Sequence, residues 1–401
     1  MNPVRSRRCT LRAPFVALGL LVFPLFGDAE TPRVQFFADT NLRLELVKDR
    51  RQPKAAEALT FSARGGAEFD LAPRLRLLAE LEGAATLAGA FDDGRGQGRD
   101  RPRIPDPPNA ELNRLLLSGD AWPGWSFVLG RQYLTDSRQR YFGRSGWRQS
   151  RQSFDALAIR GEIGPDFRLE LAYLDRVWRS TGRFHPDPAE RSQRLDAWLA
   201  NGTLDLLGGR LEAFLHAIEG EEPRVLRHRN QGLRWRWEYP LSNTGQVDLL
   251  LEAARQRQEE RPTWLAYRAA ELGLTARGIE LRLGLEYEGG DGQRAFQTPF
   301  GSGHSFNGWA DRFGTTPPDG LLDRYLGLSG RALGEAQWIL RRHWFRTTRD
   351  GRSLGREWNA ELVVPFAEAR LRFKLADHRA EPPSEDLAKF WMSLEWALPG
   401  P

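Results

Sequence analysis

Four segments of the chain alternate apolar and polar residues with a period of two. In residues 74–87, Leu77 and Leu81 fall on one side of an extended backbone, and Arg76 and Glu80 fall on the other. The other three segments are residues 233–239, 279–288 and 369–375. A helix would place its apolar residues three and four apart, so this pattern predicts β-strands. Charges of both signs are costly to remove from water, so we expect each strand to have one apolar face and one hydrated face.

The same unit recurs along most of the chain. We count about 18 such strands, an even number that is typical of bacterial outer-membrane barrels. Short turns rich in Gly and Pro alternate with longer polar loops. The long loops fall near residues 89–110, 135–152, 179–192, 219–229, 289–320, 347–356 and 377–386. Since outer-membrane barrels have short periplasmic turns and longer extracellular loops, we predict an all-β fold: a transmembrane antiparallel β-barrel.

Three segments do not show which face is apolar. In residues 125–134, Arg131 has the same parity as the apolar Leu129. Residues 110–120 and 264–276 are ambiguous in the same way. A β-bulge reverses the facing of the residues that follow it, whereas a strand that has left the membrane no longer needs an apolar outer face; either would explain the pattern. The pattern alone does not decide between the two.

Residues 1–29 have the features of a Sec signal peptide. A basic start precedes an apolar stretch, residues 13–26, that is too short to span a bilayer as a helix. Small residues surround the end of the segment, and we place cleavage after Ala29. The single cysteine, Cys9, leaves with the peptide, so no disulfide is expected. The barrel domain is then residues 30–401.

The charge of the chain does not indicate a nucleic-acid partner. The formal net charge is +5. The signal peptide carries four arginines and one aspartate, so the rest of the chain has a net charge of only about +2. A nucleic-acid surface requires a concentrated basic patch, and the sequence has none. Arginines number 54 against four lysines; guanidinium groups suit carboxylate binding, but a high genomic GC content explains the bias equally well.

Two segments contain motifs that a barrel wall does not require. In residues 130–160 these are Gly130-Arg131-Gln132, Gly146-Trp147-Arg148-Gln149 and Phe154-Asp155-Ala156. In residues 295–330 they are Thr298-Pro299-Phe300, Phe306-Asn307-Gly308-Trp309-Ala310-Asp311 and Thr316-Pro317. Together they resemble the alginate export family of outer-membrane proteins. The resemblance implies a monomeric barrel of about 18 strands that leaves an aqueous channel, with an arginine-lined constriction that passes an anionic polyuronate.

Basic residues on the polar faces are the candidates for the substrate path. By parity they are Arg74, Arg76, Arg168, Arg234, Arg236, Arg282, Arg370, Arg372 and Lys374. The family motifs add Arg131, Arg148 and Arg324. A guanidinium binds a carboxylate bidentately, and conduction needs weak, repeated sites. The alternative for each arginine is an ordinary wall residue paired with a carboxylate on the next strand.

The long loop 289–320 is the candidate constriction. It contains His304, Asn307, Trp309 and Asp311, and its aromatic residues indicate packing inside the lumen or at its rim. The alternative is an extracellular cap. His304, Asp311 and a neighbouring serine would suit a hydrolase triad, but no nucleophile elbow is present. We therefore expect no enzyme activity, no metal and no cofactor.

The sequence predicts a passive channel in the outer membrane of a Gram-negative bacterium. The main hypothesis is export of an alginate-like anionic polysaccharide, for which a periplasmic secretion scaffold would be a partner. The alternative is a general or substrate-specific porin for small anions or organic solutes. A barrel enzyme is the third hypothesis. In each case we expect contact with outer-membrane lipid and with the barrel assembly machinery, a monomer, and no nucleic acid.

Overall fold

The computed structural model describes residues 33–220, 225–259, 263–332 and 335–398. The predicted signal peptide, residues 1–29, lies outside the described residues. The strands are β1 (Val34–Asp49), β2 (Ala56–Ala72), β3 (Leu75–Ala90), β4 (Asn109–Trp122), β5 (Trp125–Gln132), β6 (Ser153–Ile163), β7 (Phe167–Trp178), β8 (Ser192–Leu206), β9 (Gly209–Glu219), β10 (His228–Ser242), β11 (Gly245–Gln258), β12 (Trp264–Ala276), β13 (Ile279–Glu288), β14 (Leu321–Arg331), β15 (Gln337–Arg346), β16 (Ser353–Phe366), β17 (Ala369–Ala380) and β18 (Leu387–Leu398). The described residues include one short α-helix, Pro188–Arg191, and one 3₁₀ turn, Gly303–Ser305. Within the described residues, no helix has the length and apolar character needed to cross a membrane.

The strands form one closed antiparallel sheet of 18 strands. Each strand pairs with the next along the chain, and the seam closes because β1 pairs with β18, with Leu42 opposite Leu394. Closure satisfies the backbone hydrogen bonds of both end strands, which a sheet in lipid requires. The predicted architecture is confirmed.

Burial along the strands is the reverse of that in a soluble protein. Leu81 is 66% exposed whereas its neighbour Glu80 is 2% exposed, and Leu233 is 54% exposed whereas Arg234 is 1% exposed. The apolar side chains face outward, where lipid covers them, and the charged side chains face the lumen. Polar groups inside such a wall are stable only if water or other polar groups satisfy them.

The connections differ between the two ends of the barrel. At one end they have two to five residues, and at the other five to 32. In the turn between β8 and β9, Leu207 and Gly208 both have positive φ, 55° and 70°, which matches the twist of a two-residue hairpin. Short turns mark the periplasmic end and long loops the extracellular end, as predicted.

A hydrophobic cluster fills part of the lumen. Phe154 and Leu174 contribute to it from the inward faces of β6 and β7, and Phe142, Phe296 and Phe300 contribute from long loops. All five are at most 2% exposed. The lumen wall is therefore apolar where loops pack against it.

Strand β12 shows why residues 264–276 were ambiguous. Leu274 faces outward and is 41% exposed, whereas Leu265 and Tyr267 face inward and are buried in the cluster. Because lipid covers one face and packed loops cover the other, both faces are apolar and the period of two disappears.

Candidate functional site

Two long loops fold into the lumen and join there. We call residues 133–152 the first inner loop and residues 289–320 the second inner loop. The backbone N–H of Gly143 donates to the carbonyl of Phe300 at 2.9 Å, and the rings of Phe142 and Phe300 are stacked with centroids 6.0 Å apart. The second inner loop thus lies in the lumen, not over the barrel mouth as a cap.

Arginines attach the first inner loop to the wall. Arg138 forms an ion pair with Glu271 and another with Glu286 at 3.1 Å. Arg140 binds Glu288. Burial opposes the charge of Arg140, but Glu288 and Glu286 outweigh the burial and raise the pKa of Arg140 above its ordinary value. The loop is therefore held by charge-assisted hydrogen bonds, which are stronger than neutral ones.

Arg234 is a second attachment point of the first inner loop. Its guanidinium lies 3.2 Å from Asp136 of the loop, 2.9 Å from Glu212 and 2.7 Å from Glu252. Three carboxylates surround one side chain that is 1% exposed. Arg234 faces the lumen as predicted, but it is not free to bind a solute.

The second inner loop is also attached to the wall, in part through the same residue, Glu288. The side-chain amide of Asn307 donates to Glu288 at 2.8 Å, and the backbone N–H of Trp309 donates to Asn359 at 3.3 Å. All four groups are buried. These bonds explain why a 32-residue loop keeps a fixed position.

His304 lies at the centre of a polar and aromatic cluster. Its Nδ1 is 2.8 Å from Asp311, and its Nε2 is 2.9 Å from the ammonium of Lys374. The ring of Trp147, from the first inner loop, is stacked on the His304 ring with centroids 4.5 Å apart. Lys389 binds Asp311 at 3.1 Å.

The geometry fixes the protonation of His304. The carboxylate of Asp311 can only accept, so Nδ1 carries the proton that it donates to Asp311, and Nε2 of the neutral ring accepts from Lys374. Burial lowers the pKa of His304 to about 3, and Lys374 acts in the same direction against the opposing effect of Asp311. His304 is therefore neutral at pH 7.

This cluster does not have the arrangement of a hydrolase triad. Both ring nitrogens of His304 are occupied, and the hydroxyl of Ser302 donates to the side chain of Gln139 at 2.9 Å. A triad needs a nucleophilic serine whose hydroxyl is hydrogen-bonded to the histidine. Across the described ranges, no group of three or more His, Cys, Asp or Glu side chains is arranged to hold a metal ion.

A cavity of about 1390 Å³ lies beside the inner loops. Its lining includes Glu368 and Arg370, next to a periplasmic turn, and Arg179 and Leu226 at the extracellular end. Residues of both inner loops line its middle, among them His304. The cavity thus extends between the two ends of the barrel.

Consecutive inward-facing residues of β17 form a row along this cavity. Arg370 lies 3.6 Å from Glu395, and Arg372 lies 2.8 Å from both Glu395 and Glu361. Lys374 continues the row at 3.8 Å from Glu361. These three predicted path residues line the cavity, but each also has a carboxylate neighbour.

Three other arginines in the cavity lining have no such neighbour among the described residues. Within the part of the chain that the structure describes, no carboxylate lies at ion-pair distance from Arg144, Arg179 or Arg341. Burial lowers the pKa of Arg144, and the like charges of Arg151 and Arg64 lower it further. The potential around Arg144 is therefore positive.

Three more predicted residues lie inside the barrel. Arg148 lines the cavity, 3.6 Å from Asp311. Arg236 donates to Ser137 of the first inner loop at 3.2 Å. Arg282 lies 3.0 Å from Asp248 and is bound to further carboxylates, so it is a paired wall residue.

Arg131 and Arg324 do not face the lumen, and their prediction as path residues was wrong. Arg131 lies opposite Leu115, which is 43% exposed on the outer face, and it binds Asp155 at 2.9 Å. Arg324 lies two residues before Leu326 on β14 and so shares its face, and Leu326 is 40% exposed on the outside. The parity of each strand places these arginines outside, although the motifs suggested the opposite.

The sequence did not single out Arg144, Arg179 or Arg341. Arg144 and Arg179 belong to loops, where no alternation indicates a direction. Arg341 is followed by Arg342, so one of the pair had to face inward. The parity of Leu340, 40% exposed outside, would have identified Arg341.

The fold is similar to that of solved outer-membrane proteins. OccAB4 of Acinetobacter baumannii is 9% identical, with a TM-score of 0.71 over 91% of this chain and 98% of that chain. OpdK of Pseudomonas aeruginosa, solved with vanillate, is 14% identical, with a TM-score of 0.69 over 90% and 98%. OpdO of Pseudomonas aeruginosa is 15% identical, with a TM-score of 0.69 over 91% and 97%.

At this level of identity the likeness shows a shared fold. No family model and no curated protein matches the sequence, so the resemblance to the alginate export family has no support from the comparisons. The closed barrel with its apolar outer face, together with these neighbours, confirms the predicted outer-membrane localisation.

Proposed function

We propose that the protein is a passive outer-membrane channel for small organic anions. The observation that carries the proposal is the cavity that extends between both ends of the barrel and contains Arg144, Arg179 and Arg341 without carboxylate partners among the described residues. An unpaired guanidinium attracts an anion, and repeated weak sites allow it to leave again.

The inner loops favour a small solute over a polysaccharide. Arg140, Asn307 and Trp309 attach these loops to the wall at buried positions, and the hydrophobic cluster occupies part of the lumen beside them. A bulky, continuous polyuronate would have to displace these attachments. A small carboxylate would pass beside them.

One structural neighbour supports the choice of an organic anion. OpdK was solved with vanillate, which is an aromatic carboxylate. The present cavity offers chemistry for both parts of such a molecule, because guanidinium groups bind carboxylates and Trp147 and Trp309 are also in its lining. Aromatic side chains provide apolar contact area for a ring.

Single-channel recording in a salt gradient tests the proposal. We expect the purified wild-type channel to prefer anions. The triple variant R144E/R179E/R341E should shift the reversal potential toward cations, because three positive charges in the path become negative. Benzoate should reduce the chloride current at concentrations at which uncharged benzamide does not.

The matched control is R99E/R277E/R331E, which makes the same change in charge at exposed positions outside this cavity lining. It should leave the reversal potential unchanged. Cation preference in the wild type, or equal shifts in both triple variants, would rule out the proposed path.

A further inference from the structure

Four arginines project from the outer face of the neighbouring strands β14, β15 and β16. We call Arg324, Arg342, Arg346 and Arg356 the outer arginine patch. In the sheet register, Arg324 lies opposite Trp344, and Trp344 lies opposite Arg356. Trp344 is 41% exposed, which identifies this row as outward-facing.

The patch lies at the extracellular border of the apolar band. Arg346 is the last residue of β15, and Arg342 lies one outward position below Trp344. The next outward position below Arg342 is Leu340, which is exposed to lipid and lies opposite Leu328. Successive residues of a strand are about 3.4 Å apart, so the patch spans the level of the membrane at which the lipid headgroups meet the hydrocarbon.

Among the residues that the structure describes, the patch has no acidic partner. Among the described residues, no carboxylate lies at ion-pair distance from any of its four arginines. The outward-facing Arg131 shows the contrast, because Asp155 binds it at 2.9 Å. Charged side chains on the lipid face are destabilising to a degree that depends on depth, so an unmatched group of four indicates a partner outside the chain.

Aromatic side chains hold part of the patch in place. The guanidinium of Arg342 lies over the ring of Trp358 at 4.6 Å and over that of Trp344 at 5.5 Å. Tryptophan is typical of membrane interfaces, and cation–π contact keeps the charge ordered without neutralising it. The arginines therefore remain available to an anion at this height.

We propose that the outer arginine patch binds the phosphate groups of a phosphorylated glycolipid in the outer leaflet. Arginine binds phosphate bidentately. The patch spans two strand spacings, about 10 Å, so it can contact more than one phosphate of a headgroup at once. A second copy of the same face is not a suitable partner, because two identical patches would bring like charges together.

Native mass spectrometry of the folded barrel in neutral detergent tests this binding. The probes are bisphosphorylated lipid A and the same lipid with both phosphates removed. We expect the wild type to bind the phosphorylated form preferentially. The variant R324Q/R342Q/R346Q/R356Q should bind it at least about tenfold more weakly, since each interfacial arginine contributes to attraction of an anionic lipid.

The control R74Q/R210Q/R277Q/R331Q removes four arginines at the periplasmic end and should bind as the wild type does. Equal binding by the patch variant, or equal binding of the two lipids by the wild type, would overturn the proposal. Displacement of the lipid by an equal concentration of inorganic phosphate would also overturn it, because the site would then be one for a free anion. Heat-modifiable migration in electrophoresis checks that each variant has folded. If the quadruple patch variant does not fold, the double variant R342Q/R356Q takes its place in the binding measurement, and the wild-type comparison of the two lipids still tests the proposal.

Discussion

Glu288 on the barrel wall accepts a hydrogen bond from Asn307 of the second inner loop at 2.8 Å. The same carboxylate binds Arg140 of the first inner loop and is 2% exposed. One wall residue thus holds both loops that narrow the lumen. The width of the channel depends on this buried contact as well as on the number of strands.

Replacing Glu288 by alanine should loosen both inner loops. Arg140 would remain buried without this partner, which costs about 3 kcal/mol of folding stability for a broken buried pair. We expect a larger and noisier single-channel conductance and a lower urea midpoint. Glu259→Ala is the control: its pair with Arg227, 3.2 Å, is exposed, so its loss should cost less than about 1 kcal/mol. Unchanged conductance in Glu288→Ala would contradict this role of the loops.

Replacing Arg234 by alanine should affect stability far more than selectivity. The change leaves Asp136, Glu212 and Glu252 without their common partner, at a cost of about 3–5 kcal/mol. Since Arg234 is buried under the first inner loop, the reversal potential should move much less than in R144E/R179E/R341E. Urea unfolding in lipid vesicles and salt-gradient recording measure the two effects. A large change in selectivity at unaltered stability would show that Arg234 meets the solute.

His304 should make the folded state sensitive to acid. Burial lowers the pKa of His304 to about 3 from its ordinary value of 6.5. Between these two pH values, His304 binds a proton in the unfolded chain but not in the folded chain. The resulting stability is present above pH 6.5 and is lost as the pH falls, by about 1.4 kcal/mol per unit.

The test compares the wild type with His304→Gln, which keeps a donor and an acceptor but does not titrate. Between pH 7 and pH 5 the wild type should lose about 2 kcal/mol more stability in urea unfolding than the variant does. The same loss in both proteins would show that His304 is not the group responsible.

The wall of the barrel was predictable because strand facing is a local property. Leu81 and Glu80 differ by one residue and face opposite sides, and no distant contact is needed to establish this. The same rule places Arg324 and Arg131 outside. Motif resemblance suggested the lumen for both, and it was wrong where it conflicted with parity.

The candidate site was less predictable because it depends on contacts that are distant in sequence. Trp147 and His304 stack, and Gly143 binds Phe300, across more than 150 residues of chain. A loop has no repeating direction, so the position of Arg144 follows only from the folded packing. His304, Asn307, Trp309 and Asp311 were suggested by the motifs and do lie at the inner loops, but their role in transport stays a prediction.

The pairing of β1 with β18 makes the two chain ends of the sheet interdependent. Twelve residue pairs join these strands, so a chain that stops before Leu387 would leave the edges of β1 and β17 without partners in hydrocarbon. Bare strand edges are not tolerated there. We therefore expect the barrel to insert only as a complete sheet, because a barrel that lacks a strand is not stable in the bilayer.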